Sequence, residues 1–425
     1  MDSSFRRTVE DHRAAVHRLL APLADRLGTE DLPLHEALGR VLAADLVAPR
    51  ALPPFDNSQM DGYALRVAEA AHGTALPVGA PIPAGATAPR LPAGTVVPIM
   101  TGAMLPAGAD SVVPIERADP PRFPPADSQD ATVTLPTDVP PGQFIRAAGS
   151  DIAAGATALA AGTRLGPVHL GLAAALGIDT LPARRRPRVL VLATGDEVRA
   201  PGTALAPGQI HDANSTLLAS LLTEAGAQAQ CAGISADDPE AFATALAGKL
   251  GPAGAPAHDL VITSGGISQG AYEVVRQALA EHGIDFGSVA MQPGGPQGIG
   301  LLELPGTAPT PLLAFPGNPV SGVVSFEILL RPALIGLTGA AERRMLSARL
   351  AGPLDPPPPP GKLQARRVMV RILHDGGVEA SAVGGPGSHL VHALATANAL
   401  LVLTPDAPTP QAGEPVDALI YGDLS

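Results

Sequence analysis

The chain has 425 residues, enough for two to four domains that each bury a core. Its net charge of −12, 3% aromatic content and lack of Trp argue against a nucleic-acid surface, since the only basic stretch is "RRRPR" at 184–188. Hydrophobic residues make up 46%, and the 47 glycines and 47 prolines are spread among apolar segments, a pattern of many turns and short strands rather than of disorder.

The N-terminal "MDSSFRRTVEDHRAAVHRLL" carries charges where a signal peptide needs an apolar core, and no run of eighteen clean apolar residues follows. A soluble cytoplasmic protein with no membrane contact is the expectation. Val9, Val16, Leu19, Leu20, Leu23 and Leu27 form a helical stripe over 9–27, and "LHEALGRVLAAD" predicts a second helix over 34–45. From about 52 to 145, short apolar runs broken by Pro and Gly read as a small β-barrel or sandwich, and 164–178 is helical again.

From 188 the pattern becomes regular α/β. Strand "RVLVLATG" precedes helix "NSTLLASLLTEAG", with Asn214 as its N-cap and Gly226 just past its end. Strand "AQCAGI", helix "DPEAFATALAGKL", strand "DLVITSGG" and helix "YEVVRQALAEHG" follow. The series closes on "PLLAFPGNPVSGVVSFEILLRPAL", a buried strand, a turn and a long apolar helix. This alternation predicts a doubly wound, mainly parallel sheet covered on both faces. The single cysteine, Cys231, allows no internal disulfide or Cys-based zinc site and reads as a buried structural thiol in its strand. "LDPPPPPGK" at 354–362 reads as a linker, and the alternating segments after it as a second small β-domain.

Ligands of open α/β sheets bind at the carboxyl ends of the strands. Three loops occupy that position here: "ATGDEV" with Asp196 and Glu197, "TSGGISQG" with Ser264, Gly265 and Gly266, and "FPGNPVS" with Gly317 and Asn318. Each alone is an ordinary strand-to-helix turn; three on one rim favour a phosphate site at helix N-termini. "GGISQG" lacks the Gly-Lys-Ser/Thr ending of an ATPase loop. The carboxylates Asp56, Asp61, Asp151, Asp196, Glu197, Asp237, Asp238 and Glu273 call for a cation beside an anionic ligand, and Mg²⁺ takes such oxygen ligands. For "ADDPE" at 236–240, a helix start with acids at its positive end is an equal reading. "FDNSQMDGYA" at 55–64 is either a polar turn or a site-forming loop. With only two lysines, Lys249 and Lys362, phosphate contacts fall to backbone N–H and arginine. Arg146 in "FIRAAGSDI" is the first candidate, with a solvated surface arginine as its alternative.

Together, "PPFDNSQMDGYA", "IMTGAMLPAGADSVV", "IRAAGSDI", "ATGDEV", "TSGGISQGAYEVV", "FPGNPVS" and "GPGSHLVHALATANALLVL" resemble the hallmarks, in order, of the molybdopterin molybdenumtransferase (MoeA) family, also seen as the gephyrin E domain. The likeness runs from about residue 8 to 420. It implies a helical domain split over 1–51 and 147–183, an inserted β-domain at 52–146, an α/β molybdopterin-binding domain at 184–340 and a C-terminal β-barrel at 341–425. It also implies a homodimer and the insertion of molybdate into adenylylated molybdopterin, with release of AMP in the presence of Mg²⁺. Carried over by motif, Asp61 and Asp151 are catalytic and, with Asp237, metal-binding. Thr101, Arg146, Glu197, Ser264, Gly265, Gly266, Glu273, Arg276, Gly317, Asn318 and Ser388 would bind substrate.

The chain departs from the family in two places. "QPGGP" puts Gln292 and Gly295 where the family has "KPGKP", which removes two cations, and "SQGAYEVVR" puts Glu273 and Arg276 where Asp and Lys are common. Arg276 could replace part of the missing charge. Beside an active insertase, the departures leave open a paralogous protein that binds or delivers molybdopterin or the finished cofactor, and a dimeric scaffold ranks last.

Overall fold

The structure is a computed structural model that describes residues 5–125, 128, 130–195, 197–234, 238–267 and 274–424. The chain divides into two compact units, one of residues 1–30, 39–41 and 182–425 and one of 31–38 and 42–181.

The larger unit is organised by a seven-stranded sheet. Its strands are β1 (Phe5–Arg7), β2 (Arg188–Ala193), β3 (Gln228–Gly233), β4 (Leu260–Ser264), β5 (Ile284–Val289), β6 (Pro296–Leu302) and β7 (Thr310–Phe315), in the spatial order β1-β5-β6-β7-β4-β2-β3. The pairings are parallel except where β6 runs antiparallel to both β5 and β7. β4 and β7 are buried along their whole length, as continuous apolar runs are when helices cover both faces of a sheet.

Those helices are α1 (Val9–Leu20), α2 (Ala213–Glu224), α3 (Pro239–Leu250), α4 (Val274–Ala280) and α5 (Pro319–Thr338). Thr8, Asp212 and Asp238 cap α1, α2 and α3 by accepting from Asp11, Ser215 and Ala241 N–H groups, which otherwise have no partner in the helix. The predicted cap Asn214 instead sits inside the first turn of α2, and Gly226 follows that helix at φ +81° as expected. α5 is long and apolar enough to cross a membrane, but most of it is buried in the core of this unit. Its Glu327 is wholly buried and paired with Arg331 at 2.8 Å and Arg343 at 2.8 Å, so the one acid inside the helix is compensated.

Three sequence readings change here. Val16, Leu20, Leu23 and Leu27 of the first helical stripe pack into the core of this α/β unit, and the stripe is interrupted after Leu20. Cys231 is exposed, because β3 is the edge strand of the sheet. Partial desolvation and the nearby Asp212 carboxylate push its thiol pKa up, which favours the protonated thiol. The proline-rich 354–362 is no joint between domains. It connects β8 (Met345–Leu350) to β9 (Leu363–Ile372) within one barrel, and Arg366 ties it down by donating to the Pro356 carbonyl at 3.1 Å.

That barrel is completed by β10 (Val378–Ala382), β11 (Ala399–Leu403) and β12 (Pro415–Ile420), with α6 (Val391–Thr396) between β10 and β11. It closes in the order β9-β10-β8-β12-β11-β9, which leaves no free edge within the ring. Met291–Gln292 pairs with Leu363–Gln364 of β9 and ties the barrel to the α/β sheet.

The smaller unit holds short strands, as the segment from 52 to 145 predicts. Gly62–Leu65 lies between Val97–Ile99 and Ser111–Pro114, and the helix Pro167–Ala175 follows. The helix predicted over 34–45 is absent. A 3₁₀ turn at Leu34–Glu36 ends before Gly39 at φ +74°, and Leu42 N–H donates to the Thr163 carbonyl. Ala37, Val41 and Leu42 are buried all the same, so the apolar spacing marked true core positions without being helical.

Candidate functional site

β2, β4 and β7 end in register: Ala193 pairs with Ser264, and Ser264 with Phe315. The three turns named from the sequence therefore leave the sheet side by side at its carboxyl edge. Their backbones touch. A Cβ on Gly317 would stand 3.3 Å from the Gly265 Cα, one on Gly265 3.0 Å from the Thr194 carbonyl, and one on Gly266 2.6 Å from Val275 Cγ2. Gly265 and Gly266 also hold φ of +97° and +67°, the left-handed region that only glycine enters freely.

Asn214 locks this rim. Its side-chain amide donates to Ser264 Oγ at 3.0 Å and to the Gly317 carbonyl at 2.6 Å, joining the turns after β4 and β7 to the first turn of α2. At the start of α5, Pro319 has no N–H, and the Val320 N–H donates to the Ser388 carbonyl at 3.1 Å. The helix terminus expected to receive an anion is thus partly filled by the chain itself, and the same bond brings Ser388 to the rim.

These turns open on a cleft of about 1290 Å³, lined by Thr194, Glu197, Ser264, Gly265, Gly266, Gly317, Asn318 and Ser388 among others. Its further polar groups are His211, Asp212, Asn214, Gln292, Ser321 and His389, and no Lys or Arg stands among the described residues that line it. Gln292 lines the cleft with its Oε1 accepting from Gln364 Nε2 at 3.2 Å, while Gly295 lies outside it. Arg276 does not line it either: its guanidinium stands 5.9 Å over the Phe286 ring, so the replacement cation read from the sequence is not in this cleft. The Glu197 carboxylate folds back over Gly195, where a Cβ would meet it at 2.6 Å.

The other predicted residues lie in the smaller unit. Asp61 is exposed, and Thr101 donates to its Oδ1 twice, from the backbone N–H at 2.6 Å and from the hydroxyl at 2.7 Å. The hydroxyl first and the N–H second hold the Asp61 carboxyl below the usual carboxylate range. Among the described residues its Oδ2 has no partner. Asp56 accepts from the Ala148 N–H at 2.7 Å, Asn57 donates to the Phe55 carbonyl and Ser58 to the Met60 carbonyl. These three shape the loop that presents Asp61. Arg146 is exposed and reaches Asn57 Oδ1 at 3.4 Å, and the exposed Asp151 carboxylate has no hydrogen bond among the described residues.

Among the described residues no three His, Cys, Asp or Glu side chains gather as a metal cluster. Asp196, Asp237 and Glu273 fall outside the described residues. Asp238, next to Asp237, caps α3, which fits the helix-start reading of "ADDPE". Asn214 was missed as a site residue because "HDANS" offers two side chains able to cap and only one can do so. Thr194 and His389 sit inside quoted motifs, but nothing in their spacing marked them.

Three family models match successive parts of the chain. Residues 7–177 match the MoeA N-terminal region (domains I and II), 190–336 a probable molybdopterin-binding domain and 348–421 the MoeA C-terminal region (domain IV). Molybdopterin molybdenumtransferase 2 of Mycobacterium tuberculosis (strain H37Rv) is 42% identical over 422 residues, covering 96% of this chain and 98% of the relative. Molybdopterin molybdenumtransferase of Haemophilus influenzae is 34% identical over 402 residues, covering 94% and 95%. The crystal structure of a molybdopterin biosynthesis MoeA protein from Pyrococcus horikoshii superposes with a TM-score of 0.77 at 26% identity, covering 96% and 99% of the two chains.

Proposed function

The chain belongs to the MoeA family of molybdopterin molybdenumtransferases, and from that premise we propose how its residues divide the work of a transferase in molybdenum cofactor biosynthesis. The reaction proposed is insertion of molybdate into adenylylated molybdopterin with release of AMP. The observation that carries this reading is the rim where β2, β4 and β7 end together and the backbones of Gly265 and Gly317 approach closely. Such a rim brings backbone N–H groups near phosphate oxygens without side chains between them. The cleft is larger than the roughly 300–1,000 Å³ typical of drug-sized ligands, which suits a pterin joined to a nucleotide.

With no Lys or Arg among its described lining residues, the cleft has no protein cation to balance a pyrophosphate. Mg²⁺ fits that need, since it keeps several waters and takes only one or two carboxylates together with substrate phosphates. The carboxylates proposed as its ligands are Asp61, Asp151 and Asp237; among the described residues neither Asp61 Oδ2 nor the Asp151 carboxylate has a hydrogen-bond partner. Bound there, the ion would neutralise the phosphates and polarise the bond that breaks. Thr101 keeps Asp61 ionised and aimed, Asn214 holds the glycine turns in place, and Ser388 and Asn318 offer hydrogen bonds to the ligand. The working form proposed is a cytoplasmic homodimer.

One observation supports a second reading. Gln292 meets Gln364 amide to amide where two family lysines are absent, and a neutral site of that kind suits a protein that binds or delivers the pterin without efficient insertion. Reconstitution with adenylylated molybdopterin, molybdate and Mg²⁺ separates the two. The first reading expects AMP to appear only when molybdate is added, and to stop on chelation of the magnesium. Tight substrate binding with no AMP under any of these conditions supports the second.

A further inference from the structure

The most basic stretch of this acidic chain is not part of the cleft. Arg184, Arg185 and Arg186 line a small pocket of the larger unit with Arg40, Gly226 and Thr338. The enclosed space is about 10 Å³, room for a single water-sized particle. Two of the four arginines are committed. Arg40 is 8% exposed, pairs with Glu30 and donates to the Arg184 carbonyl at 2.8 Å. Arg185 donates to the Leu27 carbonyl at 2.7 Å and stands 3.5 Å from Asp259, a carboxylate it shares with Arg188.

Arg186 is half-buried and has neither a hydrogen bond nor an ion pair among the described residues, and the exposed side chain of Arg184 has none either. Burial first and the Arg40 cation second push the Arg186 pKa down, with Glu30 opposing. A guanidinium still keeps its proton at neutral pH, so this is a cation with no ion pair among the described residues, beside a second cation. The last turns of α2 and α5 lie at the same pocket and lend it some negative potential, yet no carbonyl of either accepts from Arg186.

We propose that the pocket is a binding site for a small tetrahedral oxyanion, held by Arg186 and Arg184 at its mouth with one oxygen in the enclosed space. Arginine forks match such oxygens and bind them in pairs, which a spherical halide does not exploit. Inorganic phosphate and molybdate share this chemistry. The site stands apart from the cleft and does not depend on what the cleft binds.

Isothermal titration of the full chain tests it, with phosphate and molybdate added separately at constant ionic strength set by chloride. Wild type is expected to take up one oxyanion that Arg186→Gln binds about tenfold or more weakly, the size of a lost charge-assisted hydrogen bond. Arg184→Gln should weaken it by a smaller factor, and Arg186→Lys should recover part of the loss. Tighter binding of phosphate marks the cellular pool as the source; tighter binding of molybdate marks the oxyanion proposed for the reaction. Any molybdate held in the cleft persists in Arg186→Gln. If wild type and Arg186→Gln give the same isotherms with both anions, or chloride competes as well as either, the proposal is overturned. Should Arg186→Gln fail to fold, the exposed Arg184→Gln decides by the same criterion.

Discussion

The side-chain amide of Asn214 donates to the carbonyl oxygen of Gly317 at 2.6 Å, across more than a hundred residues of sequence. With its second bond, to Ser264 Oγ, it fixes the distance between two turns whose backbones nearly touch. Asn214→Ala is expected to lower kcat/KM by about tenfold, in line with roughly 1–2 kcal/mol for two lost hydrogen bonds at the site. Circular dichroism should show the fold retained, because Asp212 still caps α2. An unchanged kcat/KM would show that the turns hold their spacing without it.

Asp61 and Thr101 give a pH-dependent prediction. The Thr101 hydroxyl and N–H favour the charged carboxylate and depress its pKa, so the ionised form persists to lower pH. Thr101→Val removes the hydroxyl and raises that pKa, which moves the acidic limb of the pH–rate profile to higher pH. Asp61→Asn should abolish turnover while melting within a few degrees of wild type, as an exposed side chain should. Loss of the fold in Asp61→Asn would instead mark Asp61 as a turn residue.

A third prediction concerns the missing cations. Gly295 is not among the residues of positive φ, and a Cβ there meets only backbone oxygens at 3.4 and 3.5 Å, so a side chain fits without rearrangement. Gln292→Lys, in the cleft lining, should tighten substrate binding by about tenfold through a charge-assisted contact to phosphate, and Gly295→Lys, outside that lining, should add less. Equilibrium binding of the adenylylated pterin at two salt concentrations measures it. Equal affinity in the variant and wild type would show that the ligand's charge is met elsewhere.

Much of the α/β unit was legible because its strands are written as continuous apolar runs. "LVITS" and "TPLLAF" lie where they were expected, and the three turns that follow them share one rim. Less legible were features set by neighbours in space. Three-residue β1 has no pattern of its own and exists because β5 lies beside it. Cys231 sits in a strand, but nothing in "AQAQCAGI" says that the strand is at the edge. The buried trio of Ala37, Val41 and Leu42 has helical spacing by coincidence, which Gly39 breaks. The loop that presents Asp61 was readable as a polar turn from "FDNSQMDGYA". Asn214 was not, because its partners lie 50 and 103 positions away.

His12 gives a prediction about stability rather than turnover. It is buried against the Phe5 ring at 5.4 Å, its Nδ1 has no partner among the described residues, and burial followed by the charge of Arg7 lowers its pKa from 6.5 to about 4. The unfolded chain therefore binds this proton first as pH falls from 6.5 towards 4, and stability declines through that window. The full effect is about 3 kcal/mol at the acid end. Urea unfolding at a series of pH values should show the decline in wild type, and His12→Leu should remove this component. The same slope in both proteins would place the acid sensitivity in other groups.

If binding at the glycine rim is coupled to insertion and not to storage, a single turnover on adenylylated molybdopterin releases one AMP for each molybdenum atom retained, and Asp61→Asn forms neither. Counting both products in one turnover decides it: molybdenum-free AMP release, or stable occupancy of the cleft with no AMP, means that binding is not coupled to insertion.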